Sequence, residues 1–161
     1  MISPARKRAP LFQADIAIGR PRAALGKGRR LAIKSIISII DDDESLQAAL
    51  IEVVTSHGYD SLGFQSAEAF LASGAIDSFS CVVTDVHLPG MSGIQLKHNL
   101  TALNYSVPVI MITARTEPGL EESARAAGAI CFLRKPFEAE VLIDCIEEAT
   151  SGHGKPHNIF E

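Results

Sequence analysis

Tryptophan is absent from this chain of 161 residues, tyrosine occurs twice and cysteine three times. The longest uninterrupted apolar runs are about five residues, whereas a membrane-spanning helix needs roughly twenty, so the sequence excludes a transmembrane protein. Three cysteines cannot form a complete disulfide framework, and they predict buried thiols in a reducing compartment. The cytoplasm is therefore the expected location.

Charge is distributed very unevenly around the formal net charge of −4. Residues 1–34 contain nine Lys/Arg and a single acid, Asp15, whereas the remaining 127 residues contain six Lys/Arg and eighteen Asp/Glu. The basic part lacks hydrophobic periodicity and predicts a disordered N-terminal extension over residues 1–34. An acidic body disfavours nucleic acid, so we expect no direct DNA binding.

The position of Leu31 suggests an origin for the extension. Leu31 directly precedes the first strand pattern, close to the break in composition. We expect residues 1–30 to reflect a misplaced translation start, with Leu31 as the initiator if its codon is TTG. Intact-mass analysis of protein from the native host tests this expectation, and finding residues 1–30 would contradict it.

From Ser35 onward, short apolar strands alternate with amphipathic helices. Strand patterns cover residues 36–40, 59–64, 81–84, 107–112 and 130–133. Helix patterns follow them over residues 46–57, 67–72, 96–103, 117–127 and 141–149. Five such units predict one doubly wound α/β domain over residues 35–150, with a parallel sheet and helices on both faces. Residues 151–161 form a short C-terminal tail.

Polar residues follow these strands where a doubly wound sheet places its ligand site. The strand ends deliver Asp41 and Asp42, Asp85, Thr113 and Lys135 to one edge. Carboxylates a few Å apart repel by roughly 4 kcal/mol per pair at an effective dielectric of 20, which favours a divalent cation. Oxygen ligands alone indicate Mg²⁺ or Mn²⁺.

A metal does not account for Lys135 and Thr113. An ammonium and a hydroxyl are natural partners for phosphoryl oxygens. An aspartate carboxylate can accept a phosphoryl group as a nucleophile, and Asp85, on the middle strand, is best placed to do so. The edge therefore predicts phosphoryl transfer to Asp85.

Four motifs in order resemble those of the receiver domain of bacterial two-component response regulators. They are IIDDDE at 39–44, TDVHLPGMSG at 84–93, ITA at 112–114 and FLRKPF at 132–137. The separations of 43, 28 and 22 residues along Asp42, Asp85, Thr113 and Lys135 also fit this family. Residues 65–71 and 135–138 look most like receivers of nitrogen-fixation regulators, which usually carry a C-terminal helix-turn-helix domain.

The resemblance implies a (βα)5 flavodoxin-like fold with strand order 2-1-3-4-5 and a cis bond before Pro136. It implies that Asp42 ligates the metal directly, Asp41 through water, Asp85 directly and His87 through its backbone carbonyl. Thr113 and Lys135 would bind the phosphoryl group, and Thr113 and Phe132 would act as the conformational switch. The identities of His87 and Arg115 would set the phosphoryl lifetime. Gln47 stands where many relatives have arginine, which implies altered partner contacts rather than altered chemistry.

The implied function is that of a stand-alone phosphorelay receiver. A histidine kinase or phosphotransfer protein would supply the phosphoryl group, and the chain would assist only its own phosphorylation and dephosphorylation, without being a metabolic enzyme. The face formed by the fourth helix, fifth strand and fifth helix would then bind a downstream protein or a second copy of the chain.

Three alternatives stay open at this point. An aspartyl-phosphate hydrolase of similar topology would need an acid two residues after the nucleophile, where this chain has His87. A flavodoxin-type flavin domain would need a phosphate loop after the first strand, where this chain has three aspartates. A transcription factor truncated of its DNA-binding domain is the third alternative, and the downstream reading frame would decide it.

Overall fold

The computed structural model describes residues 34–152 and the main chain of residues 159–160. The described strands are β1 (Ile36–Ile40), β2 (Asp60–Phe64), β3 (Cys81–Asp85), β4 (Val109–Thr113), β5 (Cys131–Arg134) and β6 (Ile159–Phe160). The helices are α1 (Glu44–Ser56), α2 (Ala67–Ala72), α3 (Gly93–Ala102), α4 (Leu120–Ala127) and α5 (Ala139–Thr150). A 3-10 turn, Ile76–Ser78, precedes β3. The predicted extension, apart from Lys34, lies outside the described residues.

All strand pairs are parallel, and the sheet order is β2-β1-β3-β4-β5-β6. The order of the first five strands confirms the predicted 2-1-3-4-5 arrangement. The central strands β3 and β4 are buried almost throughout. Helices cover both faces of the sheet, which is why these strands are continuous apolar runs rather than alternating ones.

The sixth strand is a difference from the expected sheet of five strands. β6 lies on the outer edge of β5, pairing Ile159 with Cys131 and Phe160 with Phe132. An edge strand offers unpaired main-chain groups that another segment can use. Two residues are too few to produce an alternating pattern, so periodicity could not reveal this strand.

The start of the fourth helix also differs from the expectation. The sequence pattern predicts a helix over 117–127, whereas α4 begins at Leu120. Pro118 disfavours helical geometry at Glu117, the residue before it. Gly119 then adopts a left-handed conformation with φ of 80°. As a result, Glu117 belongs to the loop after β4 and faces the polar edge of the sheet instead of extending the helix.

Side-chain caps set the starts of two other helices. The Asp43 carboxylate accepts hydrogen bonds from the main-chain N–H groups of Ser45 and Leu46, which makes Asp43 the N-cap of α1. The Ser66 hydroxyl accepts one from Ala69 at the start of α2. Side chains of this type satisfy donors that the first helical turn leaves without an intrahelical partner.

The sheet carries a core layer on each face. The layer beneath α2, α3 and α4 includes Phe132 and three mutually packed phenylalanines. The layer beneath α1 and α5 contains Cys81, Cys131 and Cys145, all fully buried and free of disulfides. Burial raises the pKa of Cys81, and a hydrogen bond with Cys145 together with burial raises that of Cys131. The thiols thus pack as small apolar groups, as expected.

Within the described part of the chain, every helix is too short or too polar to cross a membrane.

Candidate functional site

The polar residues predicted from the strand ends do meet at the carboxyl edge of the sheet. Asp41 directly follows β1, Asp85 ends β3, Thr113 ends β4 and Lys135 directly follows β5. Parallel pairing in register brings these ends together, because neighbouring strands all point the same way. The peptide bond between Lys135 and Pro136 is cis, as the resemblance implied.

Lys135 links two of the carboxylates. Its Nζ lies 2.7 Å from Asp85 Oδ2 and 3.4 Å from Asp41 Oδ2. The side chains are 18% exposed for Lys135, 12% for Asp85 and 4% for Asp41, so the three charges are largely removed from water. At these distances and this burial, the ammonium compensates two negative groups at once.

The electrostatics of this group are unequal. Burial raises the pKa of Asp41 above its ordinary value, and the nearby Asp85 charge adds to this effect, despite a 2.9 Å hydrogen bond from Asp43 N–H and the attraction of Lys135. Burial alone would lower the pKa of Lys135, but its hydrogen bonds and charge interactions with Asp85 and Asp41 hold that pKa above the ordinary value. The site therefore favours the charged form of Lys135 and disfavours the charged form of Asp41.

The Asp85 carboxylate is held at both oxygens. The main-chain N–H of His87 donates to Oδ1 at 2.8 Å, while Lys135 donates to Oδ2. The loop after Asp85 is fixed in turn by Glu68 of α2, whose carboxylate accepts the Met91 N–H at 2.7 Å. That hydrogen bond lowers the pKa of Glu68. These contacts orient the Asp85 carboxylate, so that it can act as a nucleophile from one fixed position.

Thr113 sits on the other side of Asp85 and is fully buried. Its hydroxyl accepts the Arg115 main-chain N–H at 3.0 Å and lies 3.4 Å from His87 Nδ1. The second ring nitrogen of His87 is 3.6 Å from a Glu117 carboxylate oxygen, and the Arg115 guanidinium binds the other oxygen at 3.2 Å. The loop after β4 is thus joined to the loop after β3 through these side chains.

Phe132 is buried in the layer beneath α3 and α4, on the strand next to Thr113. The guanidinium carbon of Arg134 lies 5.5 Å from the Phe132 ring centroid. Arg134 also reaches Glu121 of α4 at 3.6 Å. A change in the position of the Phe132 ring would therefore alter its contact with Arg134 on β5, and through Arg134 the ion pair with Glu121 on α4.

Asp42, predicted as a direct metal ligand, is exposed, and among the described residues no three His, Cys, Asp or Glu side chains are grouped to hold a metal ion. The donor set nevertheless suits Mg²⁺. This ion is usually held by one or two carboxylates, with waters and substrate oxygens completing its octahedron, rather than by an all-protein cage. Asp41 and Asp85 already converge on one cation, the Lys135 ammonium, and Asp42 adjoins them in the chain.

Three residues make contacts at the site that were not predicted from the strand ends. Gln47 of α1 donates to the main-chain carbonyls of Asp41 and Phe64, Glu68 holds the loop at Met91, and Glu117 contacts His87. The family resemblance had singled out position 47 and residues 65–71, which include Glu68. The contact of Glu117 was not predicted because the sequence pattern placed this residue in the fourth helix.

The chain belongs to the response regulator receiver family, because residues 37–147 match the family model for the response regulator receiver domain. It is 37% identical over 117 residues to nodulation protein W of Bradyrhizobium diazoefficiens, covering 73% of this chain and 52% of that protein. It is 39% identical over 114 residues to the transcriptional regulatory protein FixJ of Rhizobium meliloti, covering 71% and 56%. The solved structure of FixJ-N has a TM-score of 0.68 at 36% identity, covering 74% of this chain and 95% of that one.

The chain spans about half the length of the curated relatives it matches. Membership in the receiver family favours the receiver interpretation over the hydrolase and flavodoxin alternatives that the sequence left open. The relatives named above support the predicted likeness to nitrogen-fixation regulators. The protein is thus a receiver of two-component signalling, and its phosphoacceptor, metal and partners belong to the proposal that follows.

Proposed function

We propose that Asp85 accepts a phosphoryl group from the phosphohistidine of a histidine kinase or phosphotransfer protein. Receiver domains are partners of histidine kinases. The observation that carries the assignment is the 2.7 Å contact between Lys135 Nζ and Asp85 Oδ2 at the carboxyl edge of the sheet. It places an oriented carboxylate, with a cation beside it, where the ligand sites of doubly wound sheets lie.

In the transfer step, an oxygen of the Asp85 carboxylate attacks phosphorus and forms an acyl phosphate. The bond between phosphorus and the donor imidazole nitrogen breaks, and the imidazole leaves with the bonding electron pair and is protonated. Lys135 neutralises charge on the phosphoryl oxygens as the group passes between the two atoms. Hydrolysis of the acyl phosphate returns Asp85 to its carboxylate form, so the chain acts on itself rather than on a metabolite.

Receiver domains generally use Mg²⁺ for this reaction. Here Asp42, Asp85, the His87 carbonyl and, through water, Asp41 would hold Mg²⁺ or Mn²⁺. The bound ion would supply positive charge to the phosphoryl oxygens during transfer. Asp85 would thus belong both to the metal site and to the reacting atoms, and the separate donors to its two oxygens would fix the orientation of the carboxylate for both roles.

The acyl phosphate would act as a conformational switch. It adds up to two negative charges and several acceptor oxygens beside Thr113 and Lys135. The Thr113 hydroxyl would turn from Arg115 toward the phosphoryl group, and Phe132 would rotate into the space behind it. The surface of α4, β5 and α5 would change with it, and a downstream protein or a second copy of the chain would bind there. A few kcal/mol of differential contact suffices for such a population shift.

The experiment is incubation with Mg²⁺ and acetyl phosphate, followed by intact-mass analysis. We expect the wild-type chain to gain one phosphoryl group and Asp85→Asn to gain none. Asp77→Asn makes the same change in the 3-10 turn before β3 and should behave like wild type. A gain that persists in Asp85→Asn would refute the assignment. No gain from acetyl phosphate or from a cognate kinase would refute the proposed reaction.

A further inference from the structure

The side chain of Gln47 turns inward from α1 and bridges the ends of two strands. Its amide nitrogen lies 2.7 Å from the Phe64 carbonyl oxygen at the end of β2 and 3.2 Å from the Asp41 carbonyl oxygen after β1. The Phe64 carbonyl also accepts the Asp41 main-chain N–H at 3.1 Å, in the last hydrogen bond between these strands. The Gln47 amide therefore extends the ladder by one step beyond the sheet.

Gly63 makes room for this side chain. A Cβ atom at Gly63 would lie 2.5 Å from Gln47 Oε1 and 2.7 Å from its Cδ. Real Cβ atoms do not approach other atoms so closely, so any larger residue at position 63 would push the amide away. The backbone of Gly63 is ordinary β-strand, which other residues adopt readily. The glycine is thus required by the neighbouring glutamine rather than by a turn.

Gln47 acts on the loop that carries the acidic residues. The Asp41 carbonyl, which Gln47 binds, begins the peptide unit that leads directly into Asp42. The same loop is held from its other side by the Asp43 N–H, which donates to Asp41 Oδ1 at 2.9 Å. Without the Gln47 amide, the peptide unit between Asp41 and Asp42 would lose the contact at its carbonyl, and this part of the loop would be held at the Asp41 N–H, the Asp41 side chain and Asp43.

We propose that Gln47, admitted by Gly63, is a positioning residue for the metal site and holds the Asp41–Asp42 backbone where Mg²⁺ is bound. The inference rests on the proposed function, because it takes these acids as the metal site. It departs from the expectation that this position affects only partner contacts. Hydrogen-bond partners that orient metal ligands commonly contribute tenfold or more to metal affinity.

The test is isothermal titration of the full chain with MgCl₂, without a phosphodonor, in three variants. Gln47→Met keeps the length of the side chain and removes the donor. Gly63→Ala leaves Gln47 in place and displaces its amide. We expect each to weaken Mg²⁺ binding by about tenfold. The double variant should bind Mg²⁺ no more weakly than either single variant, because both substitutions remove the same contact.

The matched control is Thr55→Val, which removes another polar contact between α1 and β2, the 3.5 Å approach of the Thr55 and Ser61 hydroxyls at the end of α1 opposite the acidic loop. A merely structural role would lower the Mg²⁺-free melting temperature in Gln47→Met and leave the dissociation constant for Mg²⁺ at the wild-type value. That result, or additive losses in the double variant, would overturn the inference alone. A wild-type chain that binds no Mg²⁺ would overturn the proposed metal site and this inference with it.

Discussion

Replacing Lys135 by methionine should expose how strongly the site depends on one ammonium. Unit charges 2.7 Å and 3.4 Å apart, the separations of Lys135 from Asp85 and Asp41, attract by about 6 and about 5 kcal/mol at an effective dielectric of 20. Desolvation offsets most of that gain. The methionine variant would therefore be destabilised mainly because the Asp41 and Asp85 carboxylates stay buried near each other without a cation between them. We expect Lys135→Met to lose about 3 kcal/mol of unfolding free energy at pH 7 in the presence of a chelator.

The pH dependence of this loss follows from the direction of the Asp41 shift. The pKa of Asp41 is raised in the folded protein, so the folded state binds this proton more tightly than the unfolded state. The contribution of Asp41 to the free energy of unfolding is greatest below the pKa it has in the unfolded state, and it is lost as pH rises through the pKa it has in the folded state. Without Lys135 the folded pKa rises further. The variant should therefore regain stability on acidification from pH 7, and the recovery should begin at a higher pH than in wild type.

The assay is urea denaturation followed by circular dichroism at low salt, since the chain has no tryptophan for fluorescence. Asp41→Asn supplies the second arm of a double-mutant cycle. In that background Lys135→Met should cost clearly less, because one of the two stranded charges is gone. An unchanged unfolding free energy in Lys135→Met, or an equal loss in both backgrounds, would refute the reasoning.

Three further changes separate the roles of neighbouring residues. Asp42→Asn should abolish most of the rise in melting temperature that millimolar Mg²⁺ produces in the wild type, and a rise of wild-type size in this variant would contradict Asp42 as a ligand. Asp43→Ala should cost about 1 kcal/mol in urea denaturation with or without Mg²⁺, because it removes the N-cap of α1; a loss seen only with Mg²⁺ would count against the cap. Phe132→Ala should cost about 3–5 kcal/mol from the cavity it leaves. Leu103→Ala, at a side chain 59% exposed, should stay within about 0.5 kcal/mol of wild type, and equal losses in these two variants would show that burial is not the cause.

The sequence was sufficient for the first five strands, for the helices that follow them and for the strand-end residues that meet at one edge of the sheet. Each apolar strand stops at a polar residue, and parallel strands with right-handed crossovers leave one edge where those residues can converge. Asp41, Asp85, Thr113 and Lys135 were predictable for this reason alone. The cap at Asp43 is also a local feature, because an aspartate before an amphipathic helix satisfies the first free N–H groups.

Other features depend on contacts that one strand or helix pattern does not encode. Asp41 and Asp42 are adjacent aspartates, yet Asp41 is buried against Lys135 and Asp42 is exposed. Which of two consecutive side chains turns inward is set by the path of the chain after β1, and that path depends on α1 and β2. The inward contact of Gln47 is of the same kind, since it needs the absence of a side chain at Gly63, sixteen positions away.

Lys135 also sets a relation between the metal and the phosphoryl group. In the unmodified chain its ammonium is shared, with the shorter contact to Asp85 and the longer one to Asp41. Phosphoryl oxygens on Asp85 would draw the ammonium further to that side, and the buried Asp41 would lose part of its compensation. A divalent cation beside Asp41 would restore it. Phosphorylation of Asp85 and binding of Mg²⁺ should therefore each favour the other, and the coupling free energy must be equal in both directions because the two equilibria form one thermodynamic cycle.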